Sequence, residues 1–235
     1  MNIEFSVVLP VFNEQENLKQ LQDRISKVMG IISCEYEIIY VDDSSNDSSL
    51  EILKELKECY PKTKVISFEK RRGQSAALFA GFMESRGEWI ITLDADLQNP
   101  PEEIFKLLKF KDRFDFMIGI RIDRKDDILK KISSSVARFF RWLVLKDVTI
   151  DSGCALRLFR RDIIRILPPI KNFHYFVPYL AKEEGFLVKQ VEVGHSPRKF
   201  GKSKYGVLKR MLQGVCDIAW IWWLKKRRLN YKIKA

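Results

Sequence analysis

No stretch of this 235-residue sequence stays apolar long enough to cross a bilayer. The longest run without a charged residue, residues 73–83, has eleven, against the roughly 20 that a spanning helix needs. A multispanning protein is excluded. Cysteine is scarce and scattered, at Cys34, Cys59, Cys154 and Cys216, with no CxxC pair. That removes a disulfide framework and a zinc ribbon, and it suits a reducing compartment. Histidine occurs only at His174 and His195, too little for a histidine-rich metal centre and poor material for a Ser-His-Asp triad. Neither GxGxxG nor GxxxxGK followed by Ser or Thr is present, so a dinucleotide fold and a P-loop find no support. The opening Met1-Asn2-Ile3-Glu4-Phe5 carries no basic segment, and a secretory leader is not expected. What is there, 46% hydrophobic and 31% charged residues, is the composition of a folded protein that buries a sizeable core.

The net charge of +11 is concentrated at one end. From Arg198 onward there are 12 Lys/Arg and one acid, Asp217, whereas the preceding 197 residues hold 30 of each sign. Val207, Leu208, Met211, Leu212, Val215, Ile218, Ala219 and Trp222 recur at helical steps. Residues 218–224 are apolar all round, and Lys225-Lys226-Arg227-Arg228 follows. Tryptophan beside a basic cluster suits a membrane interface, where each cation near an anionic leaflet contributes about 1 kcal/mol. Packing against the body or a partner subunit would use the same residues. No nucleic-acid-binding motif accompanies the charge, so nucleic acid is not an expected partner.

Ahead of the tail, strand and helix patterns alternate. Strands are predicted over 5–10, 37–41, 64–68, 89–93 and 115–119, and helices over 14–29, 48–59 and 74–85, with a further start at Pro100-Pro101. This order predicts an α/β fold with a mostly parallel sheet covered on both faces. Ligands of such sheets bind beyond the carboxyl ends of the strands.

Polar clusters stand at three of those ends: Asn13-Glu14, Asp42 to Asp47, and Asp94-Ala95-Asp96-Leu97-Gln98. The second could be a turn with a helix cap. In the third, an extended backbone would turn Asp94, Asp96 and Gln98 to one side. Two adjacent carboxylates repel unless a cation lies between them or one is protonated. A divalent ion completed by substrate phosphates fits that pattern.

Val8-Leu9-Pro10-Val11-Phe12-Asn13-Glu14, Val41-Asp42-Asp43-Ser44-Ser45, Gly73 with Ala76-Ala77-Leu78 and Gly81, Gly87-Glu88-Trp89, and Asp94-Ala95-Asp96-Leu97-Gln98-Asn99-Pro100-Pro101-Glu102 together resemble the inverting family 2 glycosyltransferases of GT-A fold. The last of these, with Arg198-Lys199-Phe200-Gly201-Lys202-Ser203-Lys204-Tyr205, is similar to the polyprenyl-phosphate subgroup that includes dolichol-phosphate mannosyltransferase. The chain departs from the pattern at Arg72, where the family usually has Asn, and at Ser44, where it usually has Gly.

The resemblance implies a GT-A domain over 1–206 and a basic, tryptophan-rich membrane-interface helix and tail over 207–235. It implies that Pro10, Asn13, Glu14, Asp42 and Asp43 form the nucleotide pocket, and that Asp94, Asp96 and Gln98 hold Mg²⁺ or Mn²⁺ on the donor diphosphate. Arg121, Arg124, Lys131, Arg198, Ser203 and Lys204 would bind an acceptor phosphate, with Asp96, Arg121 and Arg198 acting on the reacting groups. The implied partners are a nucleotide sugar, a polyprenyl phosphate and an anionic membrane surface. The implied setting is peripheral, on the cytoplasmic face of a membrane, with any span supplied by a partner subunit. Two other readings stand beside it. One is a family 2 transferase acting on a hydroxyl of a glycan or glycolipid, with Asp151 as base. The other is a non-enzymatic scaffold on a membrane surface.

Overall fold

The computed structural model describes residues 3–32, 35–122, 128–197 and 207–227; in the helices starting at 128 and 207 the side chains are described from Ser135 and Gln213 onward. The chain divides into two compact units, Met1–Arg124 with Asp151–Lys202, and Lys125–Ile150 with Ser203–Ala235.

The first unit is a seven-stranded sheet with helices. Its strands are β1 (Phe5–Val11), β2 (Tyr36–Asp42), β3 (Thr63–Ser67), β4 (Trp89–Thr92), β5 (Phe116–Arg121), β6 (Arg157–Arg160) and β7 (Val188–Val193), in the order β3-β2-β1-β4-β6-β5-β7. Six run one way, and β6 alone runs against its neighbours β4 and β5. The inner strands are largely apolar because both faces are covered: Val7, Val8, Leu9, Ile38, Ile39, Val41, Ile90, Ile91, Met117 and Leu158 are all buried. A mostly parallel α/β sheet is what the alternation predicts. The two strands beyond that reading, β6 and β7, are the antiparallel one and an edge.

The helices of this unit are α1 (Leu18–Ile32), α2 (Ser49–Cys59), α3 (Gln74–Glu84), α4 (Ile104–Leu108) and, later in the chain, α6 (Val177–Glu183). In α1, Leu18, Leu21, Gln22, Ile25, Val28 and Met29 are buried, the spacing of a single inward stripe. At Gly81 helix α3 packs directly on the sheet, since a Cβ there would sit 2.4 Å from Val8 Cγ1. Phe82 of α3 meets Phe159 of β6 edge-on at 5.5 Å, and Phe159 stacks on Phe116 of β5 at 5.3 Å. The order of β1, β2 and β4 reverses the direction of winding at β1, so the crevice beyond the ends of β1 and β4 is the switch point where such sheets take ligands.

The second unit pairs α5 (Ile128–Leu145) with α7 (Val207–Arg227). Residues 125–150 group with the C-terminal helix in this unit. Helix α5 ends at Lys146, whose φ of +57° breaks the helical run. Below it the buried Asp147 takes Arg141 Nη2 on one oxygen and, on the other, Thr149 N–H at 2.9 Å and Thr149 Oγ1 at 2.7 Å.

Candidate active site

Along one edge of the sheet lie the carboxyl ends of six strands and the amino end of β6. On its β1–β2 side two loops are joined by side chains. Asn13, at φ +55°, donates through Nδ2 to Asn46 Oδ1 at 2.5 Å and accepts Asn46 N–H on Oδ1 at 2.9 Å. Asn13 N–H donates to Ser45 Oγ at 3.0 Å, and Glu14 N–H to Ser49 Oγ at 2.9 Å. The buried Glu14 carboxylate accepts Asn17 Nδ2 at 2.8 Å.

Asp42 and Asp43 are both buried and both committed to backbone. Asp42 accepts Ser45 N–H at 3.3 Å and Ser67 Oγ at 3.2 Å. Asp43 accepts Arg72 N–H at 2.6 Å and Gly73 N–H at 2.8 Å. Gly73, at φ +92°, is the residue before α3, so Asp43 ties the end of β2 to the start of that helix. Asn13, Glu14, Asp42 and Asp43 thus assemble on one side of this edge, with Pro10 near the end of β1, and the bonds of the two aspartates hold its loops together. Ser44 stands at φ +59°, a left-handed conformation that explains the glycine usual at that position of the pattern.

At the end of β4 the chain turns instead of staying extended. Leu97 adopts φ +59°, and Gln98 N–H donates to Asp96 Oδ1 at 3.1 Å. The same-face alternation expected over 94–98 is therefore corrected: a turn, not a strand, brings the carboxylates near one another. Asp94 accepts Gln74 Nε2 from the first residue of α3 at 2.9 Å. Burial, then the charge of Asp96, pushes the Asp94 carboxyl up to about 7, with Glu14 adding to the effect and Arg157 and Arg121 opposing it. Neither Asp94 nor Asp96 has an ion-pair partner among the described residues. A donor set of two such carboxylates fits a hard divalent cation whose other ligands are phosphate oxygens and water. Gln98 contributes differently: its main chain is clamped, the C=O accepting Ser196 N–H at 2.9 Å, and its side chain makes no hydrogen bond among the described residues.

Two arginines reach this corner. Arg121, the last residue of β5, forms a fork with Asp151, Nε to Oδ2 at 2.7 Å and Nη2 to Oδ1 at 2.8 Å, with both side chains only 12% exposed. The candidate phosphate ligand and the candidate base are therefore each other's partners, a pairing that reading them separately did not anticipate. Arg157, the first residue of β6, is 3% exposed and donates to Cys154 O and Ser152 O, each at 3.0 Å. Burial presses its pKa down, and no acidic side chain pairs with it among the described residues. Its charge falls on Asp94 and on His174, whose buried imidazole is held neutral, down to about 3, by burial and then by Arg157. Sequence reasoning missed Arg157 and Gln74. The available signal for Arg157 was a lone cation interrupting the apolar Leu156-Arg157-Leu158-Phe159. Arg124, Arg198, Ser203, Lys204 and the side chain of Lys131 lie outside the described residues.

The profile of glycosyl transferase family 2 matches residues 6–167 of the chain. Proteins of Photorhabdus laumondii and Serratia proteamaculans, both named undecaprenyl-phosphate 4-deoxy-4-formamido-L-arabinose transferase, are 38% identical over 207 residues, 87% of this chain. The chain spans 63% of the length of these relatives. Glucosyl-3-phosphoglycerate synthase of Mycobacterium tuberculosis, solved with Mn²⁺, uridine diphosphate and glucosyl-3-phosphoglycerate, superimposes with a TM-score of 0.71 at 18% identity, covering 94% of this chain and 80% of that one. That likeness is one of fold: the first unit has the GT-A architecture.

Proposed function

The chain belongs to glycosyl transferase family 2, and on that footing we propose that it moves a sugar, with inversion, from a nucleotide-diphosphate donor of the GDP-mannose or UDP-hexose type to a polyprenyl monophosphate. Undecaprenyl phosphate is the acceptor named for the relatives at 38% identity. The observation that carries the reading is the meeting, at one sheet edge, of a carboxylate couple and a buried arginine, neither of which has an ion-pair partner among the described residues.

Asp94 and Asp96 would hold Mg²⁺ or Mn²⁺, which when bound supplies Lewis-acid neutralisation of the charge developing on the leaving nucleoside diphosphate. Pro10, Asn13 and Glu14 would line the nucleotide pocket, with Asp42 and Asp43 keeping its loops in place. Gln74 orients Asp94, and Arg157 adds a fixed positive charge that needs no reorganisation during the reaction. An acceptor phosphate is already ionised at neutral pH, so its oxygen attacks without a strong base. Its approach to a second anion must instead be offset by cations. Arg121 is one, and Arg124, Lys131, Arg198, Ser203 and Lys204 are assigned to the same task from the sequence pattern.

The second unit supports a peripheral seat on a membrane surface, which the proposal places on the cytoplasmic face. Trp142 of α5 and Trp220, Trp222 and Trp223 of α7 are exposed, as are Phe139 and Leu143. Cations cover several of these rings: Lys146 on Trp142 at 5.0 Å, Lys226 on Trp222 at 4.1 Å and Arg227 on Trp223 at 5.4 Å. Aromatic rings with adjacent cations suit a layer of lipid phosphates. No described helix is long and apolar enough to cross a membrane.

The test is transfer from labelled UDP- and GDP-sugars to a short polyprenyl phosphate, with Mn²⁺ or Mg²⁺ and with EDTA. Metal-dependent labelling of the lipid supports the proposal. Labelling of a glycan hydroxyl instead would shift the assignment to the other acceptor class, and no turnover with any acceptor would favour the scaffold.

A further inference from the structure

Asp151 occupies the Arg121 guanidinium completely on one side. Both carboxylate oxygens are engaged by the fork, and Oδ2 also accepts Arg121 N–H at 3.3 Å. A general base needs a lone pair directed at the nucleophile, and this geometry turns both oxygens toward a permanent cation. The main chain behind Asp151 is pinned: Cys154 N–H donates to Asp151 O at 3.2 Å, while Arg157 holds Ser152 O and Cys154 O. Gly153 lets this loop lie on the guanidinium, since a Cβ there would be 3.3 Å from Arg121 Nη2. An arginine fork takes a carboxylate and a phosphate in the same two-oxygen geometry. The carboxylate brings one negative charge; a phosphate monoester near neutral pH brings up to two.

We propose that Asp151 is an internal stand-in for the acceptor phosphate, holding the Arg121 fork until a phosphate displaces it and so setting the class of acceptor. The inference rests on the reading of Arg121 as a ligand of the acceptor phosphate. Displacement needs a rotation of the Asp151 side chain and leaves the pinned main chain where it is. A neutral hydroxyl acceptor brings no charge to compete with the carboxylate, so the pair stays closed to it. Asp151 is in this account a specificity-determining residue that acts through Arg121.

The test measures binding of inorganic phosphate and of a short polyprenyl phosphate to the full chain by calorimetry. The proteins compared are the wild type, Asp151→Asn and the double variant Arg121→Gln/Asp151→Asn, which removes both charges and serves as the folding control. Asp151→Asn is expected to bind both ligands at least about fivefold more tightly, and the double variant to lose that gain. Affinity that is unchanged or weaker in Asp151→Asn overturns the proposal. In steady state the change should fall on the acceptor KM. A drop in kcat of about 10²- to 10⁴-fold with loss of a deprotonation limb from the pH profile, the mark of a missing base, also overturns it. Should no protein transfer sugar to polyprenyl phosphate while Asp151→Asn still tightens inorganic phosphate through Arg121, the polyprenyl-phosphate assignment fails, whereas the competition of Asp151 with phosphate for the Arg121 fork holds.

Discussion

Replacing Asp94 by Asn should make the metal-free protein more stable at pH 8. The folded carboxyl titrates at about 7 against an ordinary 3.8, so the folded state holds this proton more tightly than the unfolded chain does. Its contribution to stability is fully present below pH 4, declines as pH rises toward 7, and is absent above that. Each pH unit in the window is worth about 1.4 kcal/mol, which sets a ceiling of roughly 4 kcal/mol. Solvent around this half-buried group and its coupling to Asp96 reduce the expectation to the order of 2 kcal/mol. Asparagine carries no charge at any of these pH values and keeps an oxygen to accept Gln74 Nε2, now at 2.9 Å. Denaturant unfolding in EDTA should therefore give equal stabilities at pH 4 and an advantage of about 2 kcal/mol for Asp94→Asn at pH 8, a Tm rise of roughly 4–8 °C for a chain of this size. Adding Mn²⁺ should raise the wild type and leave the variant behind. Parallel stability curves for the two proteins from pH 4 to 8 would refute the claim that Asp94 is held against its own charge.

The same carboxyl gives divalent ions a proton to displace, so Mn²⁺ affinity should fall about tenfold per pH unit below 7, and EDTA should abolish sugar transfer until Mn²⁺ or Mg²⁺ is restored. Arg157→Gln removes the charge beside Asp94 and both bonds to the 152–154 carbonyls; stability should fall by about 1–3 kcal/mol and turnover by at least tenfold, read by calorimetry and initial rates. Changing Lys225, Lys226 and Arg227 to Ser should weaken partition onto anionic vesicles by roughly 100-fold, about 1 kcal/mol each, with little loss on neutral vesicles; sedimentation with lipid checks it. Ser44→Gly should leave the pocket loops intact and stabilise by less than about 1 kcal/mol, the relief at φ +59° being partly offset by unfolded-chain entropy.

The first half of the sheet was legible because its strands are short apolar runs between amphipathic helices, a pattern that buried parallel strands impose. Residues 5–10, 37–41 and 64–68 fall within a residue or so of β1, β2 and β3. β6 was not legible, since four residues starting with an arginine carry neither alternation nor a long apolar run. The roles of Asp42 and Asp43 were legible only as a location. Their bonds to Ser67, Arg72 and Gly73 depend on the end of β3 and the loop after it, which sequence spacing does not position. The turn at Leu97 was hidden because leucine gives no sign of a left-handed conformation. The pairing of Arg121 with Asp151 spans 30 residues and depends on β5 and β6 being neighbours, which no local pattern encodes.

That neighbourhood also accounts for how positive charge reaches an edge crowded with carboxylates. A parallel strand delivers to this edge only its last residues and the loop after them, and the loops after β1, β2 and β4 are acidic. A strand running the other way delivers its first residue and the loop before it. β6 does so with Arg157, which meets Thr92 of β4 and Ile118 of β5 in register, and with the 151–154 loop that covers Arg121. Among the described residues the buried guanidinium of Arg157 has two carbonyls and no carboxylate, an arrangement costly in isolation. Asp94, raised by burial and by Asp96, bears the opposite cost a short distance away. Neither is relieved by pairing directly with the other. Ligands that bring both a dication and phosphate oxygens would relieve both at once, as the proposed transfer from a metal-bound nucleotide sugar requires.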